Sequence, residues 1–266
     1  MTTQINLRPA GADTVPAQTR TRRERQADAR PRVRPRRAWY LPVKHAVDFV
    51  LALLLSVVAL PLVALAALAV RLTSRGPAFY SQSRVGRDGR PFTIYKLRSM
   101  VHNCESLTGP RWSMPGDPRV TPVGWLLRKT HLDELPQLWN VLRGEMSLIG
   151  PRPERPEFVP ELERELPGYR QRLGVRPGVT GLAQVQLPAD TDVDSVRRKL
   201  AHDLFYVQNI GFWLDVRLLI CTAFYALGVP FRVLGRVLRL PASAEIEQAM
   251  RGSVGTQAPA RVRLAA

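Results

Sequence analysis

The chain has 266 residues, a net charge of +17 and a pI of about 11.2. That length holds one good-sized domain with tails, and that charge asks for an anionic partner: nucleic acid, anionic lipid or a phosphorylated substrate. Two cysteines, Cys104 and Cys221, exclude a disulfide framework; four histidines without ligand spacing argue against zinc; and no recognition helix or zinc finger supports nucleic acid.

Residues 1–40 carry ten arginines against Asp13, Glu24 and Asp28 and almost no large apolar side chains. Such a segment cannot bury enough surface to fold, so a disordered basic tail is predicted, resting on an anionic membrane surface. Phe49–Val70 is an uncharged apolar run of 22 residues. At about 1.5 Å per residue it is long enough for a bilayer core of about 30 Å. Pro61, in its middle, predicts a kink. Basic residues flank both ends (Arg36, Arg37 and Lys44, then Arg71 and Arg75), so charge sets no orientation. A single spanning anchor and a re-entrant helix with both ends on one side both remain open at this point.

Pro77–Leu97 reads as a β-hairpin: two short β-prone runs flank Gly86-Arg87-Asp88-Gly89, a turn signal with two glycines. Lys96 and Arg98 stand at its end, where a solvated strand terminus explains them as well as a site does. Residues 101–122 are loop-like, with Gly109-Pro110, Pro115-Gly116 and Pro118. Next comes Arg128-Lys129-Thr130-His131-Leu132-Asp133-Glu134-Leu135-Pro136-Gln137-Leu138. Leu132, Leu135, Leu138, Trp139 and Leu142 recur at helical spacing and predict a buried stripe that excludes Asp133 and Glu134. Either Thr130 caps this helix and Pro136 bends it, or it starts near Asp133. Both registers put two carboxylates at a helix N-terminus, pointing in different directions. Acidic capping of a helix is the plain alternative.

Gly144 is the expected helix stop. In Gly150-Pro151-Arg152-Pro153 an arginine between two prolines has a stiff backbone suited to clamping phosphate. Glu157–Leu173 predicts an amphipathic surface helix interrupted at Pro167-Gly168. Arg176-Pro177-Gly178-Val179-Thr180-Gly181 predicts a tight turn presenting Arg176. Val193–Gln208 predicts a polar helix with an apolar stripe. Leu218–Val229 is uncharged but too short to span; Trp213 and Tyr225 near its ends suggest an in-plane or half-buried interfacial helix, with an ordinary core helix as the alternative. Residues 231–266 are Arg- and Ala-rich, and a basic, largely disordered tail is expected there.

Six motifs occur in one order: Asp48-Phe49 opening an apolar run with a mid-run proline, Lys96-Leu97-Arg98-Ser99-Met100, Leu132-Asp133-Glu134-Leu135-Pro136-Gln137, Gly150-Pro151-Arg152-Pro153, Arg176-Pro177-Gly178-Val179-Thr180-Gly181 and Tyr206-Val207-Gln208-Asn209. Together, over residues 41–230, they resemble the bacterial sugar transferases, monotopic polyprenyl-phosphate phosphoglycosyltransferases. The resemblance implies an α+β, mostly helical fold: a re-entrant membrane helix at 41–75, broken at Pro61, and a compact cytoplasmic catalytic domain at 76–230 with a small β-hairpin and interfacial helices. It implies transfer of a sugar-1-phosphate from a UDP-sugar to polyprenyl (undecaprenyl) phosphate with release of UMP. That is the first membrane step of exopolysaccharide, capsule or glycan synthesis, at the inner membrane and facing the cytoplasm.

The implied catalytic residues are Asp133, as nucleophile, and Glu134, which together hold Mg2+. Arg128, Arg152, Lys96, Arg98 and Arg176 are the expected phosphate contacts. Membrane lipid is a further expected partner, and homo-oligomerisation stays open. Two positions depart from the family pattern: Leu60 stands where a serine often precedes the kink proline, and Gln186-Leu187-Pro188 replaces Asn-Gly-Arg. The second departure prevents any transfer of sugar identity. Two other classes compete: a membrane-anchored, basic lipid-binding scaffold without turnover, and a metal-dependent phosphohydrolase using the same acidic pair.

Overall fold

In this computed structural model the described residues are 33–106, 109, 114, 116–190 and 192–254. The expected tail at 1–32, the parts of the 101–122 loop at 107, 108, 110–113 and 115, and residues 255–266 lie outside them. The described chain is mostly helical, with one long apolar helix and two small two-stranded sheets.

Helix α1, Tyr40–Thr73, carries the apolar run. Its helical assignment runs unbroken through Pro61. One side of it is exposed and apolar, including Leu54, Val57, Leu60 and Leu65. The other side is buried and reads Tyr40, Lys44, Asp48, Ala52, Ala59, Ala66 and Val70. Ala52, Ala59 and Ala66 recur every seven residues, a seam of small side chains that lets α1 lie close against its neighbours. Ala52 and Ala59 pack with Ile94, Leu138, Val141 and Met146, and Ala66 and Val70 with Leu97 and Leu127.

The two ends of α1 are both tied down. At the start, Lys44 Nζ lies 3.0 Å from Asp215 and 3.4 Å from Asp48. Tyr40 donates to Asp215 at 3.0 Å, and the Ser147 hydroxyl donates to Asp48 at 2.5 Å. At the other end, Arg98 donates to the Ser74 and Arg75 carbonyls, just past the last turn of the helix.

The hairpin forms as expected: β1 (Phe79–Val85) pairs antiparallel with β2 (Pro91–Leu97), and Tyr80 faces Lys96 in the register. Asp88 and Gly89 take φ +56° and +80°, as the tight connection requires. Helix α2 (Pro122–Lys129) follows, with Thr121 capping Gly124 N–H at 3.0 Å and Pro122 in its first turn. A Cβ on Gly124 would lie 1.9 Å from the Ser99 carbonyl oxygen, so α2 sits directly on the chain leaving β2.

The acidic stretch departs from both predicted registers. Thr130 ends α2 rather than starting a helix, its hydroxyl donating back to Leu126 at 2.8 Å. His131 then takes a left-handed conformation, φ +57°. Leu132–Gln137 is a 3₁₀ turn, and only Leu138–Leu142 (α3) is α-helical. Leu138 is buried and Leu132, Leu135 and Leu142 pack against the cores as predicted, but the tighter period also buries Asp133 and leaves Trp139 exposed. Gly144, at φ +73°, follows α3 as expected.

Strands β3 (Ser147–Ile149) and β4 (Gly178–Thr180) pair in parallel, a contact not predicted. The glycines of both motifs explain it. A Cβ on Gly178 would come within 2.1 Å of Gly150 N, and one on Gly181 within 2.2 Å of Gly150 O. Helix α4 (Val159–Glu165) and a 3₁₀ turn at Tyr169–Gly174 are separated at Gly168, φ +93°. After α5 (Leu182–Gln186) comes α6 (Val193–Asn209), which centres the main core through Leu200, Leu204 and Val207. Helix α7 (Phe212–Ala226) begins earlier than predicted and leaves Phe212, Trp213 and Phe224 exposed. The expectation of a largely disordered tail from 231 fails for its described part. There α8 (Phe231–Val237) and α9 (Ser243–Val254) form, and Ile246, Met250 and Val254 bury themselves in the main core, which α6 centres.

Candidate active site

The two carboxylates are assembled by three elements. Asn140, fully buried on α3, accepts from Tyr95 N–H at 3.3 Å and donates to the Thr93 carbonyl at 2.7 Å. It fastens the main chain of β2 to the end of the acidic turn. Lys96, the next residue along β2, therefore reaches Glu134, with Nζ 2.7 Å from Oε1. From the opposite side Arg152 binds Glu134 bidentately, at 2.6 and 3.2 Å. Two cations thus hold one glutamate, a geometry worth more than either contact alone because Lys96 and Glu134 are largely withdrawn from water.

This clamp orders the protonation states. Burial opposes ionisation of Glu134, but Arg152 and Lys96 outweigh it and hold the carboxyl well below its ordinary range. Burial lowers Lys96, with Glu134 acting against that. Arg152 is held protonated chiefly by Glu134. Asp133 moves the other way: burial first, then the charge of Glu134, push its carboxyl up, with Lys96, Arg128 and Arg152 only partly compensating. The pair sits in a six-residue 3₁₀ element rather than at an α-helix N-terminus, which leaves little dipole to offset this. A more basic carboxylate is the better nucleophile.

The Arg152 loop is itself gripped. Arg84 Nη1 donates to the Pro153 carbonyl at 3.1 Å, and Arg172 Nη2 donates to the Arg152 carbonyl at 2.7 Å. Arg172 is buried and pairs with Asp203 of α6 at 2.6 Å. Neither arginine was singled out from sequence, and no local motif marks them. His131, also missed, lines the site at a positive φ, a backbone conformation visible only in the folded chain.

Two clefts meet at the pair. The more polar one, of about 810 Å³, is lined by Lys96, Asp133 and Tyr80, and the more apolar one, of about 940 Å³, lies between α1 and α7. Arg128, His131, Glu134 and Arg152 border both. Of the predicted phosphate contacts, the structure brings Lys96, Arg128 and Arg152 to the carboxylates. Arg98 borders the polar cleft, but its guanidinium donates to Ser74 and Arg75 at the end of α1. Arg176 borders neither cleft; its guanidinium lies beside Gly144. The physical reason is the β3–β4 pairing, which uses the Pro177-Gly178 backbone as a strand and turns the preceding residue away.

No group of three or more His, Cys, Asp or Glu side chains with metal-site geometry occurs among the described residues. Asp133 would fit a magnesium ion held jointly with substrate, since magnesium takes one or two carboxylates and completes its shell with phosphate oxygens and water, and Glu134 would join it by giving up a contact with Lys96 or Arg152. The upward shift of Asp133 fits as well, because a neighbouring cation would relieve it.

The bacterial sugar transferase family model matches residues 39–228. Over 177 residues the chain is 45% identical to a UDP-N-acetylgalactosamine-undecaprenyl-phosphate N-acetylgalactosaminephosphotransferase of Aeromonas hydrophila, covering 66% of this chain and 42% of that protein. It is 45% identical over 181 residues to a UDP-glucose:undecaprenyl-phosphate glucose-1-phosphate transferase of Caulobacter vibrioides, covering 67% of each. It is 38% identical over 194 residues to an exopolysaccharide production protein of Rhizobium leguminosarum, covering 68% of this chain and 94% of that protein. The chain thus spans less than half of the first of these relatives and nearly all of the last. On the family match and on these relatives, the chain belongs to the bacterial sugar transferase family.

Proposed function

We propose that this protein transfers a sugar-1-phosphate from a UDP-sugar to undecaprenyl phosphate and releases UMP, as an early membrane step of exopolysaccharide or related glycan synthesis. The observation that carries this reading is Glu134 clamped between Lys96 and Arg152, with Asp133 beside it, where a polar cleft meets an apolar cavity. Attack of an anion on a diphosphate needs fixed cations at the reacting phosphate, and Lys96, Arg128 and Arg152 surround that place.

In this reading an Asp133 oxygen attacks the sugar-bearing phosphorus, the bond to UMP breaks, and an aspartyl-phosphosugar forms. An oxygen of the lipid phosphate then attacks the same phosphorus and frees the Asp133 carboxylate. Arg152, with its loop gripped by Arg84 and Arg172, orients the transferred phosphate; Lys96 and Glu134 keep each other ionised. Asp133 and Glu134 would hold magnesium, which supplies neutralising charge to the diphosphate when bound.

Both ends of α1 are assigned to the cytoplasmic side of the inner membrane. The support is its packing: Tyr40, Lys44 and Asp48 at one end and Ala66 and Val70 at the other all touch the elements that carry the site. A helix of about 50 Å that spanned would carry one end away from them. In this reading α1 lies deeply in the plane of the membrane or returns to the side from which it entered.

The experiment is UMP release by the full chain in detergent, with magnesium, across a panel of UDP-sugars with and without polyprenyl phosphate. Release that needs the lipid is expected. Release without lipid would make the protein a phosphohydrolase, and no release would leave a lipid-binding scaffold.

A further inference from the structure

One site must accept a hydrophilic nucleotide sugar and a long apolar lipid phosphate. The two clefts at the Glu134–Arg152 pair differ in the matching way. The polar cleft is walled by Tyr80 and Gln82 of β1 and by His102–Glu105, and no α1 or α7 residue borders it. The other cavity is walled by Val58 and Leu62 of α1, Ala223 and Ala226 of α7, and Leu187. Those two helices also carry the broad exposed apolar surface, so this cavity opens where lipid chains lie. Lys199 and Asp190, also in its wall, neutralise each other at 2.6 Å. Where it meets the polar cleft its wall holds Arg128 and Arg152, beside Glu134, and these cations are the complement of a phosphate head. Asp133 borders the polar cleft alone, whereas Glu134 and Arg152 border both.

Building on the transferase reading above, we infer that the two substrates enter by separate clefts, with the acceptor's prenyl chain lying in the cavity between α1 and α7. The nucleotide sugar meets Asp133 from the polar side. The lipid phosphate arrives from the apolar side at Arg128 and Arg152, attacks the aspartyl-bound phosphorus, and the phosphorus–Asp133 bond breaks. A cavity of this size suits a small ligand, so it holds the isoprene units nearest the phosphate and leaves the rest in the bilayer.

The test uses the full chain and polyprenyl phosphates of graded length. For the unaltered protein the acceptor KM should fall as the first isoprene units are added and then level off. Ala223→Trp and Ala226→Trp, made at exposed positions off the core, should each flatten that dependence and raise the acceptor KM about tenfold, with the UDP-sugar KM unchanged. Tyr80→Ala should do the converse: a higher UDP-sugar KM and an intact chain-length dependence. Crosslinking with a short photoactivatable prenyl phosphate should label α1 and α7, which keeps the test decisive if a tryptophan variant misfolds. An unchanged length dependence in both variants, a shift in the UDP-sugar KM instead, or labelling of the β1–β2 hairpin would each overturn the assignment. These outcomes presuppose turnover; no lipid-dependent UMP release by the unaltered chain would overturn the transferase reading itself.

Discussion

The guanidinium of Arg172 donates to the main-chain carbonyl of Arg152 at 2.7 Å, so one arginine sets the position of another. Arg172 is fixed in turn by Asp203 at 2.6 Å and by the Tyr169 hydroxyl at 2.8 Å. Burial disfavours the charge of Arg172, yet Asp203 overrides this and holds it protonated. The chain of contacts runs from α6 through the 3₁₀ turn to the Arg152 loop and ends on Glu134. Arg172→Lys keeps a charge but loses the planar fork that serves three partners. It should lower kcat about tenfold while UDP-sugar affinity changes little. Asp203→Ala, which strands a buried cation, should cost about 3–5 kcal/mol of stability. Thermal melts beside steady-state kinetics check both; an Arg172→Lys protein as unstable as Asp203→Ala would make the arginine purely structural.

Arg152→Ala should lose activity far more than stability. A charge-assisted contact to phosphate is worth roughly 1.5–3 kcal/mol, or about 10- to 150-fold in kcat/KM. Glu134 keeps Lys96 as a partner, so the melting temperature should move little. A melting shift matching the activity loss would count against the clamp.

Asp133→Asn should abolish both turnover and a covalent phosphosugar adduct, read by mass spectrometry of enzyme with UDP-sugar and magnesium but no acceptor. It should also raise the melting temperature, on the order of 2–4 °C, because it removes a buried charge beside Glu134. An adduct on the variant, or intersecting initial-rate plots for the unaltered enzyme, would refute the nucleophile assignment.

The two carboxylates should give stability opposite dependences on pH. Glu134 is held well below its ordinary value of 4.5. Its stabilisation is therefore complete above about 4.5 and disappears as pH falls through the lower folded value. Asp133 is raised above its ordinary 3.8, so the fold binds its proton more readily, and its contribution turns unfavourable as pH rises past 3.8. In melts below pH 5, Glu134→Gln should be less acid-sensitive than the unaltered protein. An identical acid profile would mean that the clamp does not form in solution.

Topology should follow the packing of α1 rather than Pro61. With the native cysteines replaced, Ala38→Cys and Arg75→Cys at exposed positions flanking the helix should both resist an impermeant reagent added outside intact cells. Pro61→Ala should leave this unchanged, since α1 is continuous through that residue. Ala59→Leu should overpack the seam against Leu138 and Met146 and cost about 1–3 kcal/mol. Labelling of Ala38→Cys from outside would show that the helix spans.

What the sequence determined by itself was local. The two glycines at Gly86 and Gly89 specified a hairpin turn, the period of Val193–Gln208 specified a helix, and 22 uncharged apolar residues specified a membrane element. Each signal lies within one stretch of chain, where backbone sterics or side-chain period decides the outcome. The helix at Ser243–Val254 was legible too, through Ile246, Met250 and Val254 at a spacing of four, but an Arg- and Ala-rich composition masked it.

Only the tertiary structure decided what each charge does. Lys96 and Arg98 are two residues apart, yet one meets Glu134 and the other closes the end of α1. The difference is that β2 ends at Leu97, and Asn140 holds its main chain to α3. Arg152 and Arg176 look alike in proline-rich turns, but β3–β4 pairing aims only the first at the carboxylates. A charged side chain is worth little until a partner and a low-dielectric surrounding are supplied. For Glu134 both come from residues 38 and 18 positions away, and that separation is why the chemistry of the site became readable only once the chain was folded.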